Sequence, residues 1–191
     1  MSVLDLYPTE ILTERLRLRA PRRGDVTALH EAIAETLTDL VPWLPWARVD
    51  HGPAETRRYL RAARSAWSRQ SAFEFLIELR DSGRVAGVTS LHRVDWVRAV
   101  AGLGYWVRRS EWNHGIATEA AAAALAHALG GLRLHRIEAL VALENKTSQR
   151  VVEKLGFVRE GVAREAEFVD GRYLDHIQYS FLRSDPQAGL R

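Results

Sequence analysis

Apolar and polar residues alternate along Leu16-Arg17-Leu18-Arg19, the two-residue period of a strand with one buried face, and Pro21 ends the run. Asp25 then stands where it can cap a helix reaching to about Leu40. Pro53 opens a second helical pattern that places Leu60, Ala63 and Trp67 on one face. Strands are predicted at Phe73 to Glu78, Val85 to Leu91 and Leu103 to Val107, with Asp81-Ser82-Gly83 turning the first two into a hairpin. A helical stretch from Ile116 to Leu129, closed by Gly130-Gly131, leads to a strand from Arg136 to Val141. A helix from Thr147 to Leu155 stops at Gly156, and strands near Phe157 to Gly161 and Tyr173 to Leu182 complete the pattern. Early strands joined by hairpins and a middle that runs strand, helix, strand predict an α/β chain with a mixed sheet.

The size of the chain fits this pattern. At 191 residues and 47% hydrophobic content it can bury a core as a single domain spanning 1–191. It has no cysteine, which excludes disulfides, zinc–thiolate sites and cysteine nucleophiles. The formal charge is only +3, Lys146 and Lys154 are the sole lysines, and the arginines are scattered. Such charge reads as a solvated surface and argues against a nucleic-acid partner. No run of about eighteen apolar residues could span a bilayer, and Met1 to Glu10 lacks the regions of a signal peptide. A cytoplasmic protein without a membrane partner is expected.

The most chemically pointed stretch is Gly102 to Thr118. A short aromatic strand runs through Asn113-His114-Gly115 into a helix that opens Ile116-Ala117-Thr118-Glu119. A strand passing through a glycine turn into a helix N-terminus aims several N–H groups, and the helix dipole, at one spot, which suits a diphosphate. Gly115 would let phosphate oxygens approach the backbone, although a glycine before a helix also serves as an ordinary turn.

Three segments together carry a family resemblance: T-E-R-L-R-L-R at the start, W-N-H-G-I-A-T-E-A in the turn, and E-N-K-T-S-Q-R-V-V-E-K-L-G-F downstream. With the order of elements, they resemble a GCN5-related N-acetyltransferase (GNAT) from about Thr13 to Leu182. V-P-W-L-P-W at Val41 to Trp46 and A-E-F-V-D-G-R-Y-L-D at Ala166 to Asp175 are similar to the RimJ/RimL ribosomal-protein N-terminal acetyltransferases. The superfamily pattern starts its phosphate motif with Arg or Gln where this chain has Trp112, a departure that removes no backbone donor.

The resemblance implies a GNAT fold: one mixed, mostly antiparallel sheet of about seven strands, splayed at the centre, flanked by about four helices. It implies acetyl-CoA as co-substrate and no metal. The diphosphate would sit on the N–H groups of Asn113, His114, Gly115, Ile116, Ala117 and Thr118, with Arg108 and Arg109 near enough in sequence to add charge or simply to be solvated. Pantetheine would pair with the backbone of Tyr105, Trp106 and Val107, where that strand splays from Arg136 to Val141. Gly102 and Gly104 fit such an irregularity, or a simple bulge. Asn145 would touch pantetheine or substrate; alternatively Asn145 or Thr147 merely caps the helix. Ser148 is the candidate acid for the departing thiolate. Arg150 would reach the adenosine 3′-phosphate, or is a surface arginine.

Glu167 is the candidate base that takes the amine proton, against a reading as an ordinary hairpin carboxylate beside Glu165 and Glu160. Asp175 and His176 form the next titrating pair and read as strand residues with cross-strand partners, while His127 and His135 read as structural. Without cysteine, and with no histidine in the Asn145 segment to activate a serine, direct attack of the amine on bound acetyl-CoA is left. Trp43 and Trp46 wall the acceptor pocket in this resemblance, or pack as a lid. The implied activity is N-acetylation of a protein or peptide N-terminal α-amine. A small-molecule amine such as a polyamine, aminoglycoside or amino-acid conjugate, and a non-catalytic CoA-binding module, are the alternatives. A homodimer is the assembly common among such enzymes.

Overall fold

In the computed structural model, residues 10–186 are described, and they thread eight strands and four α-helices into one sheet. The strands are β1 (Glu10–Leu12), β2 (Leu16–Arg19), β3 (Phe73–Leu79), β4 (Val85–Asp95), β5 (Val100–Val107), β6 (Arg136–Ala142), β7 (Val158–Val169) and β8 (Arg172–Leu182). The helices are α1 (Val26–Leu40), α2 (Pro53–Arg69), α3 (Ile116–Ala126) and α4 (Lys146–Lys154). Sheet order is β1-β2-β3-β4-β5-β6-β8-β7. Every pairing is antiparallel except β5 with β6.

That parallel contact is what shapes the molecule. β5 and β6 pair only at Val100↔Arg136, Ala101↔Ile137 and Gly102↔Glu138. Beyond this rung β5 stays on β4 as far as Val107 and β6 stays on β8 as far as Ala142, so the sheet opens into a wedge between them. The facing edges of Leu103–Val107 and Ala139–Ala142 therefore lack each other as hydrogen-bond partners, which leaves room for a ligand to pair with backbone.

Strand alternation divides the residues between two faces. On one face Leu103, Val107, Ile137, Ala139, Ile177, Tyr179 and Phe181 pack under α3 and α4. The alanines of α3, with Ala120, Ala121 and Ala124 fully buried, let that helix sit close. On the other face Leu76, Val88 and Trp106 receive Leu29, Ala32 and Ile33 of α1 and Leu60 of α2. Ala142, Val169 and Leu174 form a small third cluster with Trp43 from the α1–α2 connection.

Several elements depart from the sequence pattern. β1 was not expected, making eight strands rather than about seven, and β7 runs on to Val169 instead of ending at Gly161. The helix predicted to reach Leu129 ends regular winding at Ala126 and finishes in a wider turn from His127 to Gly131. Asp25 flanks α1 but does not cap it with its side chain. Its carboxylate instead accepts from both terminal guanidinium nitrogens of Arg19 at 2.9 Å and from the Arg22 N–H at 2.6 Å, a stronger, charge-assisted arrangement in a buried site. Among the described residues no helix is long and apolar enough to cross a membrane. The expectation for Met1 to Glu10 falls, Glu10 apart, outside the described residues.

Candidate active site

The wedge is bridged on its α4 side by two hydroxyls. Tyr105, on the free edge of β5, reaches Ser148 in the first turn of α4, its Oη 2.9 Å from the Ser148 carbonyl and 3.0 Å from Ser148 Oγ. A carbonyl only accepts, so the phenol donates to it and the Ser148 hydroxyl is free to donate to the phenol oxygen or to a ligand. Burial pushes the Tyr105 phenol well up from its ordinary 10, which keeps its proton in place. Asn145, not Thr147, caps α4, its Oδ1 accepting the Ser148 N–H at 3.0 Å. The cap thus holds the serine directly. Gln149, buried, donates to the carbonyls of Ala142 and Leu143 at 3.1 and 2.9 Å and ties α4 to the end of β6.

At the far end of β5, the turn before α3 holds Asn113 at φ 64° and Gly115 at φ 76°. Gly115 is the residue ahead of α3 and offers no side-chain cap, so the first-turn N–H groups of Ile116, Ala117 and Thr118 stay available for an anion. Trp112, where the superfamily has Arg or Gln, turns back and donates its indole N–H to the Val107 carbonyl at 2.7 Å. His114 is exposed, 3.8 Å from Glu111.

The cation beside this turn is not the one expected. Arg108 is buried against Glu35, which it holds down to about pKa 2, and Arg109 pairs with Asp39; both are drawn to α1 rather than offered to a phosphate. Arg15 stands there instead. It donates to the His114 carbonyl at 2.7 Å and to Glu119 at 2.6 Å, and a Cβ on Gly115 would lie 3.4 Å from its Nη2. Glu119 also accepts from Thr13 Oγ1 at 2.5 Å and the Arg15 N–H at 3.0 Å, fastening the β1–β2 turn to α3. Arg15 lies within T-E-R-L-R-L-R, but its partners are about a hundred residues away, so only the fold reveals its place. Arg150 is exposed on α4.

Glu167 comes from the opposite wall. Ala163 pairs with His176 and Glu167 with Leu174, so Arg164, Glu165 and Ala166 face Asp175 alone. This bulge, with Glu165 at φ 49° and its N–H on Asp175 at 2.8 Å, swings the strand and sets Glu167 on the same face as Leu174 and His176. Glu167 Oε2 lies 3.9 Å from His176 Nε2. Burial lowers the pKa of His176, with Glu167 and Asp175 pulling it back up. The pair thus keeps the cross-strand company expected of it, with Glu167 as an added neighbour.

The two tryptophans part company. Trp43 packs on Ala142, Val169 and Leu174 beside Glu167, with the Arg172 guanidinium 5.9 Å from its ring centre. Trp46 packs inward against His51, Tyr59 and Trp106 at 5.7, 6.2 and 6.0 Å between ring centres. A cavity of about 240 Å³ is lined by Ala142, Leu143, Glu144, Glu165, Tyr173, Leu174 and Asp175, two of which, Ala142 and Leu174, also carry Trp43.

The described residues thus bring together an open sheet centre, a hydroxyl pair on one wall, a carboxylate on the other and a helix N-terminus without a side-chain cap. The sequence profile of the acetyltransferase (GNAT) domain matches residues 15–158. The chain belongs to this family. It is an acyltransferase, and its fold is the mixed GNAT sheet. The chain is 29% identical over 183 residues to the [ribosomal protein uS5]-alanine N-acetyltransferase of Escherichia coli K12, covering 94% of this chain and 93% of that one. It is 28% identical over 164 residues to the ribosomal-protein-serine acetyltransferase of the same organism, covering 86% and 90%. RimL, a ribosomal L7/L12 alpha-N-protein acetyltransferase solved with coenzyme A, superposes with a TM-score of 0.84 at 26% identity, covering 92% of this chain and 96% of that one.

Proposed function

We propose that this GNAT enzyme acetylates the N-terminal α-amine of a protein or peptide, by direct attack of the amine on acetyl-CoA. The observation that carries the reading is the Tyr105–Ser148 hydroxyl pair at the wall of the wedge, facing the gap in which a pantetheine arm would pair with β5. The diphosphate rests on the N–H groups from Asn113 to Thr118 with Arg15 beside it, and Asn145 orients Ser148. The amine nitrogen bonds to the thioester carbon and the C–S bond breaks. The leaving thiolate takes the proton of Ser148 Oγ, Glu167 takes the proton of the amine, and that proton returns to Ser148 through solvent, which resets both groups. A terminal amine, with a pKa near 7.7–8.0, is roughly 15% neutral at pH 7, whereas a lysine near 10.4 is about 0.04% neutral. An ordinary carboxylate therefore suffices as base. Trp43 forms the wall beside Glu167, and the names of the ribosomal-protein relatives support a protein acceptor. The same reading takes the chain as a single cytoplasmic domain.

A second acceptor class has its own observation. Glu144, Glu165 and Asp175 line one cavity, although Glu144 is paired with Arg172 and Asp175 accepts the Glu165 N–H. Such a lining suits a small polycationic amine. Free-thiol release from acetyl-CoA separates the cases, using peptides with free α-amines, the same peptides N-blocked but carrying lysine, polyamines and aminoglycosides. Turnover of free α-amines alone supports the proposal. Turnover of polyamines alone moves the acceptor to the second class, and tight CoA binding without any turnover leaves a CoA-binding module.

A further inference from the structure

The opposite face of β5 from Tyr105 carries an imidazole that the reaction just described does not use. Gly102 and Gly104 leave that face of the strand bare, and the His92 ring from β4 lies across it. A Cβ on Gly102 would stand 2.4 Å from His92 Nε2, and one on Gly104 would stand 3.4 Å from His92 Cε1 and 3.5 Å from Nδ1. The ring therefore occupies the space that side chains on β5 would fill. His92 pairs with Gly102, and Gly102 pairs with Glu138 on the last rung before β5 and β6 separate. The imidazole is thus placed at the apex of the wedge.

Its surroundings leave it unemployed. Among the described residues neither ring nitrogen of His92 makes a hydrogen bond, and the partly buried ring keeps its nitrogens open to solvent, unlike His127 Nε2, which is buried without a partner. Glu74, on the neighbouring strand β3 opposite Ser90, is already bonded by Tyr59 at 2.8 Å, and Glu138 is bonded by Arg136 at 2.9 Å. Burial, with Arg93 acting in the same sense, lowers His92 to about pKa 4, so the ring is neutral and one of its nitrogens is a bare acceptor.

We propose that His92 docks the acceptor amine: its bare ring nitrogen accepts one amine N–H at the apex of the wedge and turns the amine lone pair toward the thioester. The inference rests on the acetyl-transfer reading above, and proton loss still runs to Glu167. It accounts for the glycine at 102, where a Cβ would displace the ring; at Gly104 a Cβ would meet Ser90 Oγ first, at 3.0 Å, with the ring at 3.4 Å.

The test compares wild type, His92→Phe and His92→Gln in thiol release with free-α-amine peptides, alongside binding of acetyl-CoA. Phenylalanine keeps a flat ring over the glycines and removes the acceptor. Loss of one oriented hydrogen bond should lower kcat/KM for the peptide about tenfold with acetyl-CoA affinity unchanged. Glutamine, whose carbonyl can accept an N–H, should recover part of the loss. Ring resonances of His92 should also move on binding a conjugate that joins a peptide α-amine to CoA through an acetyl bridge, and stay put with CoA alone. A His92→Phe enzyme as fast as wild type overturns the docking role and leaves the acetyl-transfer reading standing, as does a ring that responds equally to CoA alone. A wild-type enzyme that turns over no amine and binds the conjugate no tighter than CoA overturns both.

Discussion

Ser148→Ala tests the acid at its most exposed point. Among the described residues Ser148 Oγ has one partner, the Tyr105 hydroxyl at 3.0 Å, and its backbone is held by Asn145 through an N–H that the substitution keeps. Alanine therefore removes a donor without moving the helix. A hydrogen bond to a charged group is worth about 1.5–3 kcal/mol, and each 1.36 kcal/mol is tenfold in rate, so turnover at saturating substrates should fall between about 10- and 150-fold. The lower half of that range is expected. A thiolate with a pKa near 8.5 is already a tolerable leaving group, and Tyr105, still anchored to the carbonyl of residue 148 at 2.9 Å, can offer partial replacement. The thiol-release rate should drop while the acetyl-CoA dissociation constant, from calorimetry, stays within about twofold. An acetyl thioester of lower thiol pKa should shrink the defect. Tyr105→Phe should cost less, and the double variant should lose less than the product of the two single effects, because the two hydroxyls share one bond. A Ser148→Ala enzyme within threefold of wild type, or one whose whole defect lies in acetyl-CoA binding, would refute the assignment.

Glu167→Gln should slow turnover by about 10²-fold or more with unchanged acetyl-CoA affinity; lost affinity with intact turnover would remove its role as base. Gly115→Ala should weaken acetyl-CoA binding and lower stability by about 1–2 kcal/mol, since φ 76° strains any Cβ and Arg15 lies 3.4 Å away; calorimetry and denaturant melts read the two parts separately. Arg19→Met should cost about 3–5 kcal/mol in urea unfolding, because it leaves the buried Asp25 carboxylate without its cation and Glu78 with Arg17 alone, at 3.5 Å, and a cost under 1 kcal/mol would contradict the buried pairing. His92, lowered from 6.5 to about 4, binds its proton more weakly folded than unfolded. Its contribution is complete above pH 6.5 and is lost as pH falls toward 4, so the gap in stability between pH 7 and 4 should be smaller in His92→Phe by up to about 3 kcal/mol; equal gaps would place the ring in solvent.

What the sequence made legible was what is local. Asn145 and Ser148 are three residues apart, and the cap that joins them follows from helix chemistry; Gly115 before Ile116 likewise declares a helix start. β1 stayed hidden because three residues are too few for alternation to register. β7 stayed hidden past Gly161 because it lies at the sheet edge with most of its residues in solvent, so no buried face imprinted a period on it. The misplaced cations have the same origin. Arg108 and Arg109 adjoin the phosphate turn in sequence, yet Glu35 and Asp39, about seventy residues earlier, claim them, while Arg15 arrives from a hundred residues away. Trp43 and Trp46 sit three residues apart in a proline-stiffened loop and still face different partners, Leu174 for one and Trp106 for the other.

The wedge itself shows why a site can be half readable. Nothing in Leu103 to Val107 says that its hydrogen bonds on one side go unmade, because that depends on β6 leaving with β8 after three shared pairs, the last at Gly102 and Glu138. Once that separation exists, residues chosen separately for each wall acquire a common target: Tyr105 and Ser148, 43 residues apart, meet at one side, and the β7 bulge brings Glu167 to the other. The glycines at 102 and 104 then read differently. They pair regularly with His92 and Ser90, and the extra residue lies next to them on β4, where Arg93 and Val94 face Ala101 and Arg93 adopts φ 50°. They are the bare floor over which His92 extends, and their lack of side chains matters for what crosses them.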